Sequence, residues 1–280
     1  MLRPALRLLG LFAVSGLCLV PAVLTRLLAL AGREQAALRL AARTQRRWGR
    51  LFLAVLGVEL ELAGELPRRP ALIVANHLSY LDVPVLAALV PGRFVAKSEI
   101  AGWPVLGQLA AAAGTIFVEQ RRARDVLRVE REMARTLAAG VPVLLFPEGR
   151  STRGLRVERL HSSLLQCAVH AALPCRAVAL SYETPADPWA PAATVCWWGG
   201  MGFWRHAWGL ARLARVRARV AVTAVERQGT DRKALAGALQ ADLAAGFVPV
   251  RQAPIAPDCA WRALFTEASP PEMAAHATSE

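Results

Sequence analysis

A histidine and an aspartate separated by four residues lie just past the apolar run ALIVA: Asn76 and His77 open the stretch NHLSYLD, and Asp82 closes it. Near neutral pH an imidazole takes a proton from a hydroxyl when an acceptor fixes its other nitrogen as N–H. Asp82 is such an acceptor at short spacing. It also falls in the first turn of the next helical pattern, LDVPVLAAL, where the helix dipole favours a carboxylate whatever its chemistry. The pair alone is therefore weak evidence for catalysis, and a polar turn is the competing reading. No serine sits in a G-x-S-x-G elbow, so the hydroxyl to be activated is read as that of a substrate alcohol.

A second constellation closes the apolar run VPVLLF. In FPEGRST, residues 146–152, Pro147 removes a backbone donor and Gly149 admits close backbone approach, which favours a sharp turn. Glu148 is then held at a strand end beside Arg150, Ser151, Thr152 and Arg153. Guanidinium groups and hydroxyls in that number suit an oxygen anion such as phosphate. The alternative is an ordinary polar turn with Glu148 paired to Arg150. His161 and His170 fall on a helical pattern and read as surface residues. No metal-ligand spacing appears.

Elements must hold these groups, and the chain supplies them as short apolar runs alternating with helical patterns. Strands are predicted at 71–75, 93–97, 115–120, 141–146, 175–182, 194–198 and 219–225. Helices are predicted where Val126, Val129, Met133 and Leu137, and then Leu160, Leu164, Cys167 and Ala171, recur at helical spacing. This alternation predicts an α/β fold with a mixed, mostly parallel central sheet flanked by helices. In such sheets reactive groups gather beyond the carboxyl ends of the strands, where His77 stands.

The chain has 280 residues, 55% of them hydrophobic, and a net charge of +13. Apolar and basic together imply an anionic partner, and the apolar share favours a membrane surface over nucleic acid. Residues 1–32 contain the uncharged run LLGLFAVSGLCLVPAVLT, long enough to enter or cross a bilayer. Arg3 and Arg7 would also suit a signal peptide, but no small-x-small site follows. The run is read as a retained hydrophobic anchor, with Pro21 as a place for it to bend. Residues 33–64 are read as a basic amphipathic helical segment carrying Arg39, Arg43, Arg46, Arg47 and Arg50. Residues 65–250 form the catalytic domain, and 251–280 a flexible tail. The five cysteines form no pattern and read as reduced thiols.

Taken in order, these motifs resemble the glycerophospholipid acyltransferase family, in particular its 1-acylglycerol-3-phosphate (lysophosphatidic acid) acyltransferases. Asn76, His77 and Asp82 match its Asn-His-x4-Asp motif, and AKSEIAGWPVLG (96–107) is similar to the stretch that follows in bacterial members. Gly114, Ile116 and Phe117 match its second motif, Phe146 to Gly149 its third, and Pro174 and Val178 its fourth. The resemblance covers residues 70–182. It implies that His77, oriented by Asp82, deprotonates the free glycerol hydroxyl, which attacks the thioester of acyl-CoA or acyl carrier protein directly. No metal or cofactor is implied. The partners are a lysophospholipid acceptor, the thioester donor and an anionic membrane, with the active site on its cytoplasmic face and phosphatidic acid as product. Acceptor binding is implied for Asn76, Gly114, Phe117, Glu148, Gly149, Arg150 and Ser151.

Three departures fall where the acceptor head group is expected. The family's arginine six residues after the second-motif glycine is Gln120 here. Arg122, on the same face of an extended segment, is the expected substitute. The third-motif arginine, Arg150, is displaced by one position, and the second proline of the fourth motif is Ala177. The tryptophan-rich segment WWGGMGFWRHAW (197–208) is similar to one in a branch that acylates lyso-ornithine lipids. A phosphate-free acceptor is therefore the alternative, and a non-enzymatic lipid-binding protein the other. The tryptophans and the arginines that follow them are read as a membrane-interface belt, with His206 left without a role.

Overall fold

The computed structural model describes residues 2–103, 106–119, 122–187 and 190–252. The chain opens with α1 (Leu2–Leu17), α2 (Leu19–Leu30) and α3 (Glu34–Leu56), then β1 (Val58–Ala63), β2 (Leu72–Ala75) and α4 (Asp82–Leu89). Next come β3 (Arg93–Lys97), α5 (Leu106–Ala112), β4 (Ile116–Val118), α6 (Ala123–Ala138) and β5 (Val143–Leu145). The last elements are α7 (Gln166–His170), β6 (Cys175–Glu183), α8 (Pro191–Thr194), α9 (Phe203–Arg212), β7 (Val216–Arg227) and α10 (Arg232–Gly246).

The seven strands form one sheet in the order β1-β7-β6-β2-β5-β3-β4. From β6 to β4 every pairing is parallel. β7 runs antiparallel to β6, and β1 parallel to β7. The sheet is mixed and mostly parallel, as the alternation of patterns predicted. β2 lies in its middle and is apolar at every position because both faces are covered. Ile73 and Ala75 join the core beneath α3, α4 and α9; Leu72 and Val74 join the core beneath α6, α7 and α10.

Two strand assignments change. TVCWW is no strand: Pro191 starts the short helix α8, and the chain then turns into the tryptophan-rich loop. Residues 58–63 are not helical but form β1, whose outward Glu59 and Glu61 hide its strand character among alternating apolar residues. Its register on β7 pairs Glu61 with Arg219. The two side chains meet at 2.9 Å, and Arg219 also reaches Glu183 at 2.8 Å. Arg215 and Arg217 pair with Glu59 and Glu61 in the same ladder. These arginines are thus cross-strand partners rather than part of the interface belt expected from the sequence.

The N-terminal run is long and apolar enough to cross a membrane over Leu2–Leu30, with a mean hydropathy of 2.2. It breaks at Cys18 rather than at Pro21. Proline has no N–H for the carbonyl four residues earlier, that of Leu17, so the helical ladder fails at Leu17–Cys18. The helices do not stand free. α2 and α3 form a hairpin across Gly32, whose φ of +73° suits glycine. The Arg7 guanidinium donates to the Leu213 carbonyl at 2.6 Å, and the Trp48 indole to Ser15 at 3.2 Å. Leu2, Leu6, Leu9 and Phe12 remain exposed on the outer face. Of the C-terminal tail, only Arg251 and Gln252 are described; residues 253–280, Gln120 and the Pro104–Val105 part of AKSEIAGWPVLG lie outside the described residues.

Candidate active site

β2 ends at Ala75, and the next side chain staples the sheet. The Asn76 amide donates to the Leu180 carbonyl at 3.0 Å and accepts from the Leu180 N–H at 2.7 Å, with no exposed surface. Both hydrogen-bonding ends are committed to β6, which gives Asn76 the task of fixing the strand end that carries His77. This differs from the acceptor contact expected of it.

His77 then turns back onto α4. Its Nδ1 lies 2.7 Å from Asp82 Oδ2, which also accepts the N–H groups of Leu78 at 2.6 Å and Ser79 at 3.0 Å. The other carboxylate oxygen, Oδ1, accepts the Tyr182 hydroxyl at 2.6 Å. Asp82 is fully buried at the first turn of α4, so the helix-terminus reading and the His-partner reading hold together. With a carboxylate on Nδ1, the proton of neutral imidazole sits there and Nε2 keeps its lone pair. The ring stacks on Phe146 at 4.3 Å and keeps 21% of its side-chain surface exposed.

The turn after β5 closes over the same point. Thr152 donates its N–H to the His77 carbonyl at 3.0 Å, and its hydroxyl adds a second bond at 3.3 Å. Glu148 is 3% exposed; its Oε1 accepts the Glu158 N–H at 3.3 Å, and its Oε2 has no hydrogen-bond partner among the described residues. Burial pushes its pKa up to about 8, opposed by hydrogen bonds from the backbone of Glu158 and His77. Gly149 has φ of +71°, and a Cβ there would approach His161 Cδ2 to 3.1 Å. His161 is therefore a neighbour of this turn; it is exposed, as is His170 against Glu130, so both lie at the surface as expected. Arg150 is exposed, and the Glu148–Arg150 pair of the polar-turn alternative is not formed. Ser151 donates its hydroxyl to the Trp197 carbonyl, and the Trp197 N–H donates to the Leu78 carbonyl at 2.8 Å. The tryptophan-rich segment is thereby tied to both motif loops.

The second-motif residues sit elsewhere. Gly114 precedes β4, at the opposite end of the parallel strands from His77, and its carbonyl accepts from Arg93 Nε at 2.6 Å. The Phe117 carbonyl accepts from Arg128. Arg122 is exposed at the N-cap of α6, beyond β4 on the sheet edge. β4 is three strand positions from β2, which puts its axis about 14 Å away. His77, Asp82, Glu148, Gly149 and Ser151 converge; Gly114 and Arg122 do not join them.

Three residues at the site were given no role from the sequence: Tyr182, Tyr80 and His206. Tyr80 lines an apolar cavity of about 300 Å³ with Trp48, Phe52, Val83 and Phe203, enclosed by α1 to α5 and α9. A tyrosine inside the motif spacing was the available clue for Tyr80, and the unexplained His206 for its partner. Tyr182 is separated by 100 residues from Asp82, and no local pattern links them.

Known proteins bear on this arrangement. A family pattern described as Acyltransferase matches residues 57–182. A lyso-ornithine lipid O-acyltransferase of Pseudomonas aeruginosa is 37% identical over 84% of this chain and 88% of its own. A 1-acyl-sn-glycerol-3-phosphate acyltransferase of Neisseria meningitidis is 40% identical over 48% of this chain and 53% of its own. The crystal structure of the lysophosphatidic acid acyltransferase of Thermotoga maritima superposes with a TM-score of 0.62 at 18% identity, covering 87% of this chain and 94% of that one, which supports the fold. A relative this similar over nearly its whole length, with the family pattern falling on the His77–Tyr182 region, shows that the chain belongs to the acyltransferase family.

Proposed function

We propose that the chain is a membrane-bound O-acyltransferase that moves an acyl group from acyl-CoA or acyl carrier protein to the free hydroxyl of a lyso-lipid. The observation that carries this reading is the 2.7 Å contact between His77 Nδ1 and the buried Asp82, which leaves Nε2 as the free base of a partly exposed ring. Nε2 takes the hydroxyl proton as the oxygen attacks the thioester carbonyl carbon. The C–S bond then breaks, and the thiolate leaves and recovers the proton from Nε2. The scheme uses no metal and no cofactor. Asp82 orients the ring and stabilises the imidazolium. The cavity beside Tyr80 is apolar and takes an acyl chain.

The acceptor expected from the motifs is 1-acylglycerol-3-phosphate, with phosphatidic acid as product. Glu148, Gly149 and Ser151 line the approach to His77, with Arg150 exposed on the same turn as the phosphate partner. Transfer to a lyso-ornithine lipid is the second reading. It is favoured by the position of Arg122, on the sheet edge away from His77, and by the name of the relative that matches over most of its length. Residues 1–32 act as the anchor, their exposed leucines in one leaflet and the basic side of α3 toward its head groups, and residues 65–250 carry the chemistry at the cytoplasmic face.

The test is an assay of washed membranes with labelled acyl-CoA, offering lysophosphatidic acid and lyso-ornithine lipid in parallel. His77→Ala is expected to lose roughly 10²–10⁴-fold in turnover while staying folded and membrane-bound. Asp82→Asn, which holds the wrong tautomer, is expected to be as severe. Near-wild-type turnover in either variant would remove the mechanism. Transfer to one acceptor alone assigns the head group.

A further inference from the structure

We propose that Tyr182 is a positioning residue of the catalytic pair, its hydroxyl fixing the Asp82 carboxylate so that the opposite oxygen stays turned to His77. The inference rests on the reading of His77 and Asp82 as base and orienter. It starts from the distribution of donors around Asp82. Oδ2 receives His77 Nδ1 and two backbone N–H groups, whereas Oδ1 receives Tyr182 at 2.6 Å. A carboxylate rotates broadly about its last torsion. Donors on one oxygen alone hold a point, while a donor on the other also sets the rotation.

The fold delivers this hydroxyl with little freedom. Tyr182 is 1% exposed within the core on the α4 side of the sheet. It stands two residues beyond Leu180, the residue to which Asn76 staples the end of β2. Leu180 and Tyr182 share a face of β6. The staple that sets His77 therefore also sets the tyrosine two positions along. Burial, then the charge and hydrogen bond of Asp82, raise the Tyr182 phenol well above its ordinary value, which keeps it a donor. The other titratable groups facing Asp82 are Cys196, whose thiol burial and Asp82 push well up, and Glu148 on the turn after β5.

Tyr182→Phe removes one oxygen and keeps the ring that fills the core. With Oδ1 stripped of its donor, the carboxylate draws more strongly on the His77 proton, and imidazolium is favoured. The expected result is a roughly tenfold lower kcat, KM for donor and acceptor unchanged, and an acid limb of kcat/KM moved up by about one pH unit. A purely structural tyrosine would change thermal stability and leave the limb in place. Site-specific fluorotyrosine at position 182, a stronger donor of nearly the same size, is expected to move the limb the other way, and it decides the matter if the phenylalanine variant does not fold. Unchanged kcat and limb in Tyr182→Phe, or a limb unmoved by fluorotyrosine, overturns the proposal. His77→Ala run alongside separates the failures: activity retained there removes the catalytic pair itself, whereas a dead His77→Ala beside a wild-type Tyr182→Phe removes only the role of the tyrosine.

Discussion

His206 accepts the Tyr80 hydroxyl at 2.9 Å on Nδ1 and donates from Nε2 to the Cys196 carbonyl at 3.0 Å. A carbonyl can only accept, so the proton sits on Nε2, and Nδ1 is left as an acceptor for the phenol. The histidine that the sequence left without a role is the link between α9 and the loop that carries His77 and Asp82. Tyr80 also packs on Trp197 at 5.9 Å and Phe203 at 5.1 Å, which adds ring contacts to the Trp197–Leu78 backbone bond between this loop and the tryptophan-rich segment.

That link makes a prediction about acid stability. Burial lowers the His206 pKa to about 4, from an ordinary value of 6.5. Between these values the unfolded chain binds the proton and the folded chain does not, so stability falls as pH drops through that window. Replacing His206 by Phe is expected to flatten the part of the stability curve between about pH 6.5 and pH 4. At neutral pH it should cost about 1–3 kcal/mol, because the Tyr80 hydroxyl loses its acceptor. Denaturant melts of both proteins at several pH values check this, and parallel curves would show that His206 does not titrate on unfolding.

Glu148 acts in the opposite sense. Its folded pKa of about 8 lies above the ordinary 4.5, so the folded chain holds a proton that the unfolded chain has released. Stability then falls as pH rises from about 4.5 to 8, and Glu148→Gln, which imitates the protonated form, should remove that slope. The same variant should stay folded at pH 7, whereas Glu148→Ala leaves a cavity and the Glu158 N–H without an acceptor. A slope unchanged in the glutamine variant would show that Glu148 is ionised in the native state.

Where signals were local, the sequence predicted the fold closely and marked the positions of the candidate site. β2, β3, β5 and β6 appear where apolar runs stand between turns, and His77 and Glu148 converge because each follows the end of such a run, with Asp82 in the first turn of the helix that comes next. What remained hidden depends on pairing. β1 reads as a polar alternation until Arg217 and Arg219 of β7 are seen to balance Glu59 and Glu61. TVCWW has strand composition, yet Pro191 and the bonds that tie Trp197 to Leu78 and Ser151 take the segment into a loop. Arg122 shares a strand face with Gln120 only if the strand continues, but β4 ends at Val118 and Arg122 caps α6 instead. Tyr182 and His206 act across 100 and 126 residues of chain, beyond any local pattern.

A final prediction concerns the contact that seats α4, and with it Asp82. Gly49 lies where α3 crosses α4, and a Cβ there would stand 2.7 Å from both the Pro84 carbonyl oxygen and the Ala88 nitrogen. Helix propensity alone favours alanine over glycine by about 1 kcal/mol, while forcing a methyl between two backbones costs about 1–3 kcal/mol. The atoms in the way are backbone on a packed helix, so the steric term is expected to win. Gly49→Ala should lower the melting temperature by a few degrees and reduce kcat, because α4 can yield only by moving the carboxylate that orients His77. Gly237 in α10 provides the control, since nothing among the described residues lies within 4 Å of its Cβ position. There propensity acts unopposed, and Gly237→Ala should raise the melting temperature with kcat unchanged. A stabilised Gly49→Ala with full activity would mean that α3 and α4 are not in close backbone contact at this crossing.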